Sequence, residues 1–109
     1  MPVAINMVMV DCRPEVEKEY NEWYNNVHIP MCLKYEDMLR ATRYRLTSGP
    51  AGHARYLTIY EFKDRNAMEA FPGTPECKAA TAEMHQRWQE KEFQIRLAAQ
   101  YETIGAFAR

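Results

Sequence analysis

Apolar residues recur at every second position in some stretches of this chain and at every third or fourth in others, and the order of those stretches limits its fold most. A period of two belongs to a strand and one near 3.6 to a helix. Val3–Asp11 is strand-like, with Val3, Ile5, Met7 and Met9 on one parity and Ala4, Val8 and Val10 on the other. Apolar side chains on both parities imply that both faces of this strand are covered. Glu15–Pro30 then changes to helical spacing. Val16, Tyr20, Trp23, Tyr24 and Val27 form one stripe, while Glu15, Glu17, Lys18, Asn21, Glu22 and Asn25 take the other side. Pro14 suits the first turn, where its missing N–H would be unsatisfied anyway. Pro30 is expected to end the helix, because a proline pushes the residue before it out of the α region.

After Pro30, the run MCLKYEDM offers a further short helical turn with Met31 and Leu33–Tyr35 turned inward. Leu39–Thr47 reads as a second strand, with Leu39, Ala41, Arg43 and Arg45 on one face and Thr42, Tyr44 and Leu46 on the other. Ser48–His53 is loop by its glycines and proline. Arg55–Phe62 is a third strand, with Tyr56, Thr58, Tyr60 and Phe62 facing away from Leu57, Ile59 and Glu61. Two strands so joined default to an antiparallel hairpin. Asp64 caps a short helix through Phe71, which Pro72-Gly73 breaks. Thr74 caps another, with Pro75 and Glu76 in its first turn. Its stripe is Cys77, Ala80, Thr81, Met84 and Trp88, with His85 at the edge. Phe93–Phe107 reads as a fourth strand with a tail, in which Leu97, Ala99 and Tyr101 alternate.

The elements therefore run β-α-β-β-α-β through one domain, residues 1–109. That order is the split βαβ, or ferredoxin-like, arrangement: an α+β fold with a four-stranded antiparallel sheet and two helices on one face. Two helices cover one sheet face, yet the strands are apolar or aromatic on both. The open face is expected to pack on a second copy in a two-fold homodimer. A net charge of −1 with no basic run leaves no electrostatic footprint for nucleic acid. No apolar run reaches the ~20 residues that a membrane span needs. The N-terminal stretch lacks a charged region ahead of its apolar residues, so it does not read as a signal peptide. Cys12, Cys32 and Cys77 are widely spaced and form no C-x-x-C, which fits reduced thiols in the cytoplasm.

With that order in hand, the run Trp23-Tyr24-Asn25-Asn26-Val27-His28-Ile29-Pro30, followed by Arg43-Tyr44-Arg45-Leu46 and Tyr60-Glu61-Phe62, resembles the EthD-like members of the dimeric α+β barrel superfamily. In these proteins the first helix ends W-Y-x-x-x-H-x-P and an R-x-Y-R-L-like strand follows. This chain carries Glu36-Asp37 where the family often has Pro-Gly. The resemblance implies a dimeric α+β barrel. It also implies a choice among cofactor-free monooxygenases on polyketide-type aromatics, lactone isomerases, cyclases, haem-degrading enzymes, chlorite dismutase-like proteins and members without a known reaction. Fold alone does not select among them.

His28 is the leading chemical candidate, a titratable group on the shoulder of an aromatic stripe. A helix C-terminus would favour its charged form and burial would oppose it, so a near-neutral value suited to proton transfer is expected. The plain alternative is a histidine that caps the last helical carbonyls. Tyr24 and Tyr60 are expected to polarise a substrate beside His28, with Tyr20, Trp23, Tyr44, His85 and Trp88 shaping the pocket. Buried phenols around one imidazole would suit a cyclic or aromatic, oxygen-bearing ligand. Arg43 and Arg45 would need an acidic partner, Glu61 being the nearest candidate, or a bound carboxylate; an ion pair between subunits is the plainer expectation. His53, alone in its loop, is expected in solvent. Pro30 between His28 and Cys32 spoils metal-ligand spacing, the glycines form no phosphate loop, and no Ser-His-Asp set is visible. The expected function is cofactor-independent acid/base chemistry of isomerase, cyclase, lyase or monooxygenase type. The alternatives are a non-catalytic accessory or ligand-binding dimer, and a haem protein with His28 as axial ligand.

Overall fold

The computed structural model describes residues 2–89 and 92–109. Four strands, β1 (Ala4–Cys12), β2 (Met38–Arg45), β3 (Tyr56–Phe62) and β4 (Phe93–Glu102), form one sheet in the order β2-β3-β1-β4. Every neighbouring pair is antiparallel. The helices are α1 (Glu17–Trp23), α2 (Ile29–Cys32), α3 (Arg65–Ala70) and α4 (Pro75–Arg87). With β-α-β-β-α-β order and the helices packed on one face, this is the ferredoxin-like α+β fold.

Alternation decides which face each side chain meets. In β3, Tyr56, Thr58, Tyr60 and Phe62 are buried under the helices, and Leu57, Ile59 and Glu61 turn to the open face. Their β1 partners follow: Ala4, Asn6, Val8 and Val10 lie under the helices, and Ile5, Met7 and Met9 lie on the open face. Two β-bulges change the expected parity. Met38 sits opposite Phe62 and Arg40 opposite Glu61, so Leu39 is the extra residue between them. Met38 is thereby buried, whereas Leu39, expected beside Ala41 and Arg43, is 52% exposed. In β4, Val10 faces Ile95 and Met9 faces Leu97, leaving Arg96 as the extra residue. That bulge sends Phe93 and Ile95 to the helix side and leaves Leu97, Ala99 and Tyr101 on the open face. The uncovered face is thus largely apolar, with Tyr44, Leu97 and Tyr101 about half exposed.

Caps and turns follow the residues. The Asp64 carboxylate accepts from the Ala67 N–H and the Thr74 hydroxyl oxygen from the Cys77 N–H, so α3 and α4 start as expected. Gly52 takes φ +83° in the β2–β3 loop, where a side chain would be strained. Pro30 does not end the first helix. The backbone continues from α1 through a wide π turn, Tyr24–His28, into α2, and the Ile29 N–H donates to the Tyr24 carbonyl five residues back. A proline ring would strike the carbonyl four residues back in a regular helix, and the wider turn relieves that clash. Leu33, expected inside, is 40% exposed, and Cys32 is the residue that packs inward. No helix among the described residues is long and apolar enough to cross a membrane.

Candidate functional site

A cavity of about 260 Å³ lies between the helix layer and the sheet. The first helix lines it with Tyr20, Trp23, Tyr24, His28 and Cys32, and the sheet contributes Asn6, Val8, Val10, Tyr60, Phe62, Phe93 and Ile95. Phe71 and, from α4, Cys77, Ala80, Thr81 and Met84 close the rest. No Asp, Glu, Lys or Arg is among these residues. The volume exceeds the ~150 Å³ of an apolar cavity that holds benzene, which leaves room for a ring system larger than one six-membered ring. It falls just short of the usual 300–1,000 Å³ of larger ligand pockets.

The π turn places His28 four residues from Tyr24 on the cavity side. Its ring stacks on Trp23 with centroids 5.0 Å apart and meets the edge of Tyr24 at 5.0 Å. Trp23 is fixed in turn by its Nε1–H, which donates to Glu83 Oε1 on α4 at 2.8 Å. His28 Nε2 lies 3.9 Å from the Cys32 sulfur, and Nδ1 is buried with no hydrogen-bond partner. The imidazole therefore caps no helical carbonyl. Burial pulls its pKa from 6.5 to about 4, with the nearby Arg43 charge acting in the same direction. The near-neutral value expected from sequence is corrected by one fact: the helix runs on past His28, so no helix terminus offsets desolvation. His28 is an uncharged imidazole at neutral pH.

Beside it the Tyr24 and Tyr60 hydroxyls are hydrogen-bonded at 2.5 Å. Burial raises both phenol pKa values, most strongly for Tyr60. Tyr20 is fully buried, its hydroxyl has no partner, and burial raises its pKa as well. The Arg43 guanidinium lies over the Tyr24 ring, 4.3 Å from its centroid. It donates to Asn21 Oδ1 at 2.8 Å and Asn25 Oδ1 at 2.9 Å. The expected Arg43–Glu61 pair does not form, because Glu61 is on the opposite sheet face, where it meets Arg40 at 3.5 Å. Burial pushes the Cys32 thiol up to about 12, so it stays protonated.

Of the expected site residues, His28, Tyr24, Tyr60, Tyr20 and Trp23 come together at this cavity. Tyr44 does not: its position in β2 pairs with Leu57, which turns it to the open face, behind the sheet. Trp88 is buried behind the lining, edge-on to Tyr20 and Trp23, and does not reach the cavity. His85 is exposed on α4 beside Trp88 in a separate shallow groove. His53 is exposed in its loop. Sequence reasoning passed over Asn6, a polar position between Ile5 and Met7 in β1, which lines the cavity and accepts from Gln100 Nε2 at 2.8 Å. It also missed Cys77, Thr81 and Met84, whose helical stripe was the available signal.

The fold and cavity define a small ferredoxin-like α+β protein with an aromatic, uncharged pocket beneath its first helix. Within that class, residues 3–102 match the model of a domain of unknown function, DUF4286, and the chain belongs to that family. The structure is similar to HapK from Hahella chejuensis, with TM-score 0.74 at 13% identity over 97% of both chains. It is also similar to an EthD family protein from Bacillus halodurans C-125, with TM-score 0.68 at 19% identity over 95% of this chain and 100% of that one. A dimeric ferredoxin-like protein of unknown function from Jannaschia sp. CCS1 matches with TM-score 0.65 at 11% identity, over 93% and 99%. At such identities the likeness is one of fold, and at that level the EthD-like resemblance holds. No curated protein matches the chain in sequence.

Proposed function

We propose that the protein takes a small cyclic or aromatic organic compound into the cavity and acts on it by cofactor-independent acid/base chemistry. His28 is the proton-transfer group, and the Tyr24–Tyr60 pair polarises the substrate. One observation carries this reading: the uncharged imidazole of His28 lines an apolar cavity beside two paired phenols. Isomerisation, cyclisation, lyase-type cleavage and oxygenation all remain within this reading. The working unit is a homodimer. The open sheet face carries apolar side chains from all four strands, and the Jannaschia protein of the same fold is described as dimeric. A second reading, a ligand-binding dimer without turnover, is favoured by the low basicity of His28.

The test is a panel of uncharged mono- and bicyclic aromatic and cyclic ketone compounds, screened by thermal shift and by quenching of Trp23 fluorescence. Binders are expected to raise Tm and quench, and each is then assayed for turnover. His28→Gln is expected to keep binding within about fivefold and to lower turnover by 100-fold or more, the size expected for loss of a proton-transfer residue. Binding with no turnover would select the second reading. A panel that neither shifts Tm nor quenches would overturn both.

A further inference from the structure

Arg43 sits beside the cavity wall with its guanidinium held by neutral groups. Among the described residues no Asp or Glu lies within ion-pairing distance of it, and its partners are the neutral amide oxygens of Asn21 and Asn25. The two acids nearest in the sheet and first helix turn are engaged elsewhere. Glu17 holds Arg55 and accepts from the Tyr56 hydroxyl, and Asp11 holds Arg55 and Arg96. The guanidinium sits on the Tyr24 ring face, also within 6 Å of the Tyr20 and Tyr56 centroids. A cation on the face of a phenol draws electron density from its oxygen and makes the O–H a stronger donor. That phenol is the one bonded to Tyr60 at the cavity wall.

We propose that Arg43 is a positioning residue that acts through Tyr24, making the Tyr24–Tyr60 pair a seat for a ligand oxygen that becomes negatively charged. The inference rests on the cavity reading above and narrows its substrate class. A ligand that enters a lining without charged groups must itself be uncharged, and it must then develop an oxyanion at the tyrosine end. Enolisable cyclic ketones and phenols meet both conditions. In a ketone, His28 takes the proton from the carbon next to the carbonyl, and the electron pair of that C–H bond moves onto the carbonyl oxygen. The tyrosine hydroxyls hold the resulting enolate until the proton returns to carbon.

The test compares para-nitrophenol with its methyl ether, para-nitroanisole, which has the same ring and no ionisable proton. Both are expected to bind, and the visible phenolate band reports the ionisation of the bound phenol across pH. In the unmodified protein the bound phenol is expected to ionise about one pH unit lower than in solution, an anion preference of about tenfold. Arg43→Gln should abolish that preference and leave para-nitroanisole affinity within about twofold. Arg43→Lys, which keeps the charge, should retain part of it, and Tyr24→Phe should lose it. An unshifted or upward-shifted phenol in the unmodified protein, or an equal shift in Arg43→Gln, would overturn the role of Arg43 while leaving the cavity reading intact. If Arg43→Gln fails to fold by circular dichroism, a shift in Tyr24→Phe equal to that of the unmodified protein would overturn it instead. Failure of both probes to bind would overturn the cavity reading itself, and this inference with it.

Discussion

At the scale of single residues, His28 ties stability to pH with a definite sign. Its pKa is about 4 in the folded protein and 6.5 when solvated. Between those values the unfolded chain binds more protons than the native one, so stability rises with pH and is lost as pH falls through that window. The whole shift corresponds to about 3 kcal/mol, and about 2 kcal/mol of it disappears between pH 7 and pH 5. Urea denaturation of the unmodified protein and of His28→Gln at those two pH values measures the difference. The unmodified protein should lose about 2 kcal/mol more than the variant; equal losses would mean that the imidazole titrates as it does in water. The residues hardest to read were those whose role depends on a partner far along the chain. Arg43 was legible as a cation in a strand, but Asn21 and Asn25 as its hydrogen-bond partners were not, because nothing local couples β2 to the polar side of α1.

Among the elements, the π turn before Pro30 is the one that sequence rules misjudged. The aromatic stripe, the N-caps of α3 and α4, and the alternation of β3 were readable because each depends on neighbours within four residues. The wide turn and the two bulges were not, since each adds one residue to a regular repeat and only the opposite strand or the packed helix decides where. For the site, the first-helix lining was legible, while Tyr44, grouped with Thr42 as expected, lies on the face away from the pocket it was expected to shape, because alternation alone does not say which face the helices cover. If the wide turn exists to accommodate Pro30, deleting Asn26, an exposed residue within it, should restore α spacing and bring the ring against the carbonyl four residues back. A cost of about 3 kcal/mol is expected for that deletion. Adding Pro30→Ala to it should recover most of the loss, and Pro30→Ala alone should change stability by less than about 1 kcal/mol. Chemical denaturation of the three variants decides it; a deletion that costs nothing would sink the idea.

At the scale of the whole molecule, the protomer leaves one side of its sheet unfinished. Ile5, Met7 and Met9 of β1, Leu57 and Ile59 of β3, Tyr44 of β2, and Leu97 and Tyr101 of β4 share that side, with no helix over them. So wide an apolar patch is unusual on a monomer. A two-fold partner would bring each of these side chains against the same set on the other copy, closing two sheets into one core. A charge planted in the apolar part of that face would be desolvated twice, once per subunit. Leu97→Asp is therefore expected to weaken dimerisation by about 100-fold or more. It should change protomer stability by less than about 1 kcal/mol, since Leu97 is 46% exposed in the protomer. Sedimentation equilibrium at micromolar concentration should find a dimer for the unmodified protein and a monomer for Leu97→Asp, with unchanged far-ultraviolet circular dichroism. A monomeric unmodified protein, or a variant that dimerises as tightly as its parent, would mean that the open face meets something other than a second copy.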